Sequence, residues 1–343
     1  MVHFLRTKHP LLNQKGQLTE AGYSTSLILD YDRRNIKANA LRIKEWDYYL
    51  ITDGKTGLAL TIADNSYMGL ASISLLDFEN RWEITKSLMR PFPMGKTNFP
   101  SSSEYGDLRI SRKNYELIFE NHGNNRLLTF FMDHFRGNET LRGEITLNCP
   151  QTESMVIATP FPQKPKAFYY NQKINCMPAS GSVSLGGDSY HFSQDFAMGV
   201  LDWGRGVWPY KSTWFWSSAS GRINGIPFGL NLGYGFGDTS AATENMLFYN
   251  GKAHKLDQVV FEIPQKENAP DYQRAWQIRD QAERLQLSFH PLLNRAAKID
   301  FKLLCSDQQQ VFGHFNGNVI LDDGTKLTLK DFFGFVEHVK NKW

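Results

Sequence analysis

Three observations predict an all-β fold built from two antiparallel barrel or sandwich units packed together. Aromatic residues make up 13% of the chain, with 24 Phe, 14 Tyr and 8 Trp, a load that suits pleated sheets and apolar pockets better than helix bundles. Strand-like runs recur at intervals of about 8–12 residues, separated by turn signals. The 343 residues exceed one small β unit and fit two.

The elements follow in order. Residues 46–52 are aromatic and β-branched and end at Asp53-Gly54, a hairpin pair, and residues 57–63 return from it. Asp64-Asn65 turns the chain into 68–78, where apolar residues crowd. Residues 109–111, 115–119, 127–132 and 141–147 read as short strands between polar turns. The stretch 149–166 carries Pro150, Pro160, Pro162 and Pro165. Proline removes a ladder donor and fixes φ, so a boundary is expected there, giving units of 1–160 and 161–343.

Strand patterning resumes at 181–185 and 190–192, around Gly186-Gly187-Asp188. Residues 228–237 alternate glycine with larger side chains, which disfavours helix and marks close backbone approach or a barrel corner. Residues 246–249 and 253–256 form a hairpin about Asn250-Gly251, and 259–263 stops at Pro264. Trp276, Ile278, Leu285, Leu287 and Phe289 alternate on two arms, against a competing helix over 271–285. Ile299, Phe301 and Leu303 alternate, and 311–320 leads through Asp322-Asp323-Gly324 into 326–329.

Composition removes several classes of function. Lys and Arg number 38 against 35 Asp and Glu, without a dense basic run, so no nucleic-acid partner is expected. Three cysteines far apart form no disulfide framework, and a cytoplasmic compartment is expected. The first residues lack an apolar leader core, and no run approaches the roughly 18 apolar residues of a membrane-spanning helix.

Known motifs fail in specific ways. Gly95-Lys96-Thr97 ends like a phosphate loop, but Arg90 stands where its first glycine belongs. Gly233, Gly235 and Gly237 open no helix, so no dinucleotide fingerprint is present. The nine histidines show no ligand spacing, and neither a metal nor a cofactor is expected.

One segment carries candidate chemistry. Trp203, Trp208, Trp214 and Trp216, half of the eight tryptophans, fall among Asp202, Arg205, Tyr210 and Lys211. Trp, Tyr and Arg are the residue types that anchor ligands. An acid among indoles can be raised in pKa to donate a proton, whereas a nearby arginine can hold it ionised. Both readings stand for Asp202 and Arg205, beside a third in which they form a structural ion pair. Trp214 and Trp216 share one strand face, as core or as pocket wall. Asn231 borders the glycine-rich strand that can approach the same place, while Glu244-Asn245 reads as a turn or cap. Asn171, Lys173 and Asn175 share a strand face, read as solvated against an alternative in which they line a polar end of the pocket.

The string Asp202-Trp203-Gly204-Arg205-Gly206-Val207-Trp208-Pro209-Tyr210, followed by Trp214-x-Trp216 and the Asn231-to-Asp238 element, resembles the family called domain of unknown function 2804. The segment 168–181 and the C-terminal stretch 312–324 are similar to it too, and the resemblance runs from about residue 10 to the end. A more distant likeness is to hydroxyneurosporene synthase (carotenoid 1,2-hydratase)-type proteins. That resemblance implies two lipocalin-like domains with a hydrophobic pocket at or near their interface.

It also implies a hydratase- or cyclase-like enzyme acting on a small hydrophobic molecule by acid-assisted addition, isomerisation or cyclisation. In that reading Asp202 is the acid, Arg205 its orienter and Tyr210 a proton relay. Trp203, Trp208, Lys211, Trp214, Trp216 and Asn231 hold the ligand. The alternative is a non-catalytic lipocalin-like protein that binds a hydrophobic or sugar ligand through the same indoles. The oligomeric state is left open.

Overall fold

A computed structural model describes residues 2–150, 152–300 and 304–342. Among them the chain forms strands and two single-turn 3-10 helices, with no α-helix. No helix in the described residues is long and apolar enough to cross a membrane. Two curled antiparallel half-barrel sheets dominate, consistent with two lipocalin-like domains.

The main path of the first sheet runs Trp82–Pro91, Met68–Asp77, Thr56–Asp64, Ile43–Thr52, Met198–Val207, Phe168–Leu185, Glu139–Asn148, Asn125–Arg136, Tyr115–Asn121 and Leu108–Arg112. Met155–Pro160 pairs alongside the first half of Phe168–Leu185. The second sheet runs Lys252–Lys255, Met246–Tyr249, Ile226–Tyr234, Lys211–Ile223, Lys326–Lys342, Cys305–Ile320, Leu285–Asp300, Trp276–Asp280 and Val259–Glu262. The Asp53-Gly54 hairpin forms as its sequence predicts. Asp53 Oδ1 accepts from the amides of Lys55 and Thr56, and Gly54 takes φ +86°.

The strand reading of 276–289 holds against the helix, because Ile278 pairs with Leu287 across a turn. Trp82–Pro91 is a strand that the sequence pattern did not announce. Of the Ile299, Phe301 and Leu303 alternation, Phe301 and Leu303 lie outside the described residues.

The prolines of 149–166 do not separate the sheets. Met155–Pro160, Phe168–Leu185 and Met198–Val207 all belong to the first sheet, and the second opens at Lys211. The changeover is Trp208-Pro209-Tyr210. The prolines instead end one first-sheet strand and clear a short loop before the next.

Each half-barrel has its own apolar interior. Leu201, Trp203 and Val207 point into the first, with Tyr49, Leu60, Phe130 and Leu147. Phe228, Leu247, Trp276, Phe289 and Val336 fill the second. A third cluster lies along the seam between the sheets. It joins Tyr48, Tyr169, Val200 and Trp208 of the first to Trp216, Phe236, Met246 and Phe335 near the second.

Candidate functional site

Strand alternation decides what Asp202 and Arg205 can do. Successive side chains point to opposite sheet faces. Trp203, Arg205 and Val207 enter the first half-barrel, while Asp202, Gly204 and Gly206 face the seam. The expected Asp202–Arg205 pair therefore does not form. Arg205 donates to Asp47 Oδ1 at 2.9 Å and to the Trp46 and Pro100 carbonyls, with its guanidinium 4.1 Å from the Trp203 ring.

Asp202 pairs with a different cation. Antiparallel register sets Lys173 on one side of it and Tyr48 on the other. Lys173 Nζ lies 2.7 Å from Asp202 Oδ1, and Asn171 Nδ2 donates to the same oxygen at 2.6 Å. Asn171, Lys173 and Asn175 are all buried, not solvated. Their shared face is real, but the second sheet covers it.

The second sheet presents a matching row. Gly233, Trp216, Glu337, Gln310 and Arg295 are successive register partners across five strands. The two rows meet at the seam. Lys173 Nζ sits 4.1 Å from the Trp216 ring centre, and Tyr48 packs edge-on against that indole at 5.9 Å. Gln310 Nε2 donates to the Tyr48 hydroxyl at 3.2 Å. Arg295 donates to Ser74 Oγ of the first sheet at 2.8 Å.

Two further acids occupy this seam. Trp216 Nε1 donates to Asn231 Oδ1, and Asn231 Nδ2 donates to the Glu244 carbonyl, both at 2.8 Å. The Glu244 side chain is buried, and neither carboxyl oxygen has a hydrogen-bond partner in the described residues. Gly233 makes its place: a Cβ there would lie 2.2 Å from Glu244 Oε1. Burial pushes Glu244 up to about 8, with Lys173 opposing and the Asp202 charge adding to the rise. Glu337 accepts from Trp214 Nε1 at 3.0 Å. Burial raises it to about 7, against the pull of that hydrogen bond and of Arg295. The Tyr169 hydroxyl is buried without a hydrogen-bond partner among the described residues, and burial beside Glu244 and Asp202 raises it well above the usual phenol range.

The remaining sequence candidates divide by place. Trp208 is in the seam against Trp46, Tyr169, Trp214 and Phe236. Gly204 leaves room for one of these, since a Cβ there would lie 2.1 Å from the Trp46 ring. Trp214, Trp216 and Asn231 also belong to the seam. Trp203 lines the first half-barrel, edge-on to Tyr31 and Tyr170. Tyr210 lies on the changeover with Arg42 5.2 Å from its ring, and Lys211 is exposed. Sequence reasoning favoured solvent for Lys173, read Glu244 as a turn or cap and passed over Glu337. The register opposite Trp216 and the glycine at 233 are the signals that place the two acids.

Among the described residues no group of three or more His, Cys, Asp or Glu is arranged to hold a metal ion. The seam is a buried set of one ion-paired carboxylate, two acids raised toward or above neutrality, and two phenols. Such a set can donate a proton at one acid while negative charge is kept nearby.

Solved structures share the architecture. A protein assigned as an AttH from Nitrosomonas europaea is 13% identical, with a TM-score of 0.56 over 96% of this chain and 98% of its own. Kievitone hydratase from Nectria haematococca is 11% identical, with a TM-score of 0.50 over 100% of this chain and 98% of its own. At these identities the likeness shows the fold. No curated protein sequence matches the chain. Sequence itself gives the kinship, and over residues 3–343 the chain belongs to the family described as domain of unknown function 2804.

Proposed function

We propose that the chain is a hydratase-like enzyme for a small hydrophobic molecule, with the seam between the sheets as its active site. The observation that carries this reading is the contrast between Asp202, held by Lys173 and Asn171, and Glu244, which burial pushes up to about 8. A neutral acid beside an ion-paired carboxylate can divide the donor and acceptor roles of a proton transfer. The fold shared with kievitone hydratase supports the reaction class.

In this reading neutral Glu244 gives its proton to one carbon of a substrate double bond. The positive charge that develops on the other carbon is met by the Asp202 carboxylate. Water adds its oxygen to that carbon and releases its spare proton to Asp202. One water has then crossed the double bond, and a proton passing from Asp202 back to Glu244 through solvent resets the site. Asn231 fixes the Glu244 backbone and the Trp216 indole together. A cavity of about 20 Å³ between the sheets, large enough for one water, is bordered by Leu50, Val200, Ser218 and Phe335 and not by the seam acids. Admission of a larger substrate requires the sheets to part at the seam.

The test is untargeted mass spectrometry of a cell extract incubated with wild type, Glu244→Gln and Asp202→Asn. The expected result is a compound that gains the mass of water with wild type, at least about 100-fold more slowly with either variant. Turnover falls as pH rises past about 8, where Glu244 loses its proton. A compound bound by all three proteins and changed by none overturns the enzyme reading in favour of a lipocalin-like carrier.

A further inference from the structure

The strand Trp82–Pro91 ends the first sheet, and residues 85–92 are exposed along their whole length. Four of the large apolar side chains on the molecular surface cluster here and in the loop that follows. Phe92 is 64% exposed, Met89 58%, and Leu88 and Met94 39% each. Strand alternation sends Leu88 and Met89 to opposite faces, so the exposed apolar side chains line both sides of this rim, and exposed apolar surface concentrated on one edge marks a contact site.

The loop is rigidly built. Its buried anchor is Asp64, whose Oδ2 accepts from the Gly95 amide at 2.9 Å and from Thr97 Oγ1 at 3.0 Å. The Phe92 amide donates to the Tyr67 carbonyl at 2.9 Å, and the Met94 amide to the Ser66 carbonyl at 3.1 Å. Between these bonds Pro93 is buried, while Phe92 and Met94 take φ of +46° and +50°. Left-handed backbone at such residues is unfavourable and persists only where the surroundings enforce it. The fold thus holds two apolar side chains outward at a conformational cost.

Charge identifies the occupant. From residue 84 to 103 the chain carries Lys86, Arg90 and Lys96 and no Asp or Glu. A second copy of the chain on this face would bring like charges together, and cations on an edge strand suppress strand-to-strand pairing. An anionic lipid surface meets both needs, because headgroups attract the cations and the acyl boundary takes the apolar side chains. We propose that residues 86–96 form a peripheral docking edge for an anionic lipid bilayer. This inference is independent of the chemistry at the seam.

The experiment is flotation of the full chain with vesicles of phosphatidylcholine and phosphatidylglycerol at about three to one, beside vesicles of phosphatidylcholine alone. Wild type is expected to float with the mixed vesicles, to bind the neutral ones weakly, and to be released by high salt. Met89→Ser with Phe92→Ser lowers partitioning at least about tenfold. Lys86→Glu with Arg90→Glu removes the preference for phosphatidylglycerol, and tests the proposal by itself if the serine pair fails to fold. The proposal is overturned if wild type stays off the mixed vesicles at low salt, or if both double variants bind as wild type does. It is equally overturned if wild type is a dimer that the serine pair converts to a monomer.

Discussion

Lys173 and Asp202 face each other across neighbouring strands at 2.7 Å, with side chains only 2% and 10% exposed. Removing one member of a buried pair leaves the other charged and unpartnered, which destabilises by about 3–5 kcal/mol. Lys173→Met is expected to show a loss of that size in urea unfolding. Lys173→Met with Asp202→Asn together should lose less than the sum of the single changes. Strict additivity would show that the two residues are not coupled.

Glu244 gives a stability signature that needs no substrate. Its folded pKa of about 8 stands above the ordinary 4.5. Between those values the folded state holds a proton that the unfolded chain has released. This group therefore makes folding less favourable as pH rises from about 4.5 through 8, by an order of about 3–5 kcal/mol. Glu244→Gln removes the effect. The stability of the variant relative to wild type should climb across that window and level off above it, and a flat difference would refute the raised pKa.

Gly233 is the space in which the Glu244 carboxyl lies. Gly233→Ala places a Cβ 2.2 Å from Glu244 Oε1 and 2.7 Å from the Phe215 carbonyl oxygen. Backbone cannot yield as a flexible side chain does, so a loss above about 2 kcal/mol is expected. The pH window assigned to Glu244 should shift with it. Thermal melts at pH 5 and pH 8 read both effects.

Arg205 serves as the contrast. Its partner is Asp47 inside the first half-barrel, so Arg205→Met is expected to cost about 3–5 kcal/mol as a broken buried pair. The Glu244 pH dependence should remain, because the two residues lie on opposite faces of the sheet. Disappearance of that dependence in Arg205→Met would contradict the separation of the two networks.

Much of this architecture is legible in the residues, and the gaps have physical causes. Hairpins declare themselves where turn chemistry is local, as at Asp53-Gly54. The aromatic motif announces buried strands, but alternation assigns Asp202 and Arg205 to different faces, and short sequence spacing conceals that. Lys173 and Glu337 look solvated because a charged residue in an antiparallel strand ordinarily faces water. Here a second sheet covers that face, a fact spread over residues far apart in the chain. The prolines of 149–166 suggested a boundary on a local rule, whereas the changeover at Trp208-Pro209-Tyr210 depends on which strands pair.

The placement of the indoles makes the seam its own reporter. Trp46, Trp208, Trp214 and Trp216 gather there, and Trp208, the first residue of the three-residue link between the sheets, is wedged beside Tyr169. Any parting of the sheets draws water toward these rings first. Intrinsic emission then acts as a gauge of opening, shifting to longer wavelength, while the indoles of Trp203 and Trp276, sealed inside the separate half-barrels, contribute an unchanging part of the signal.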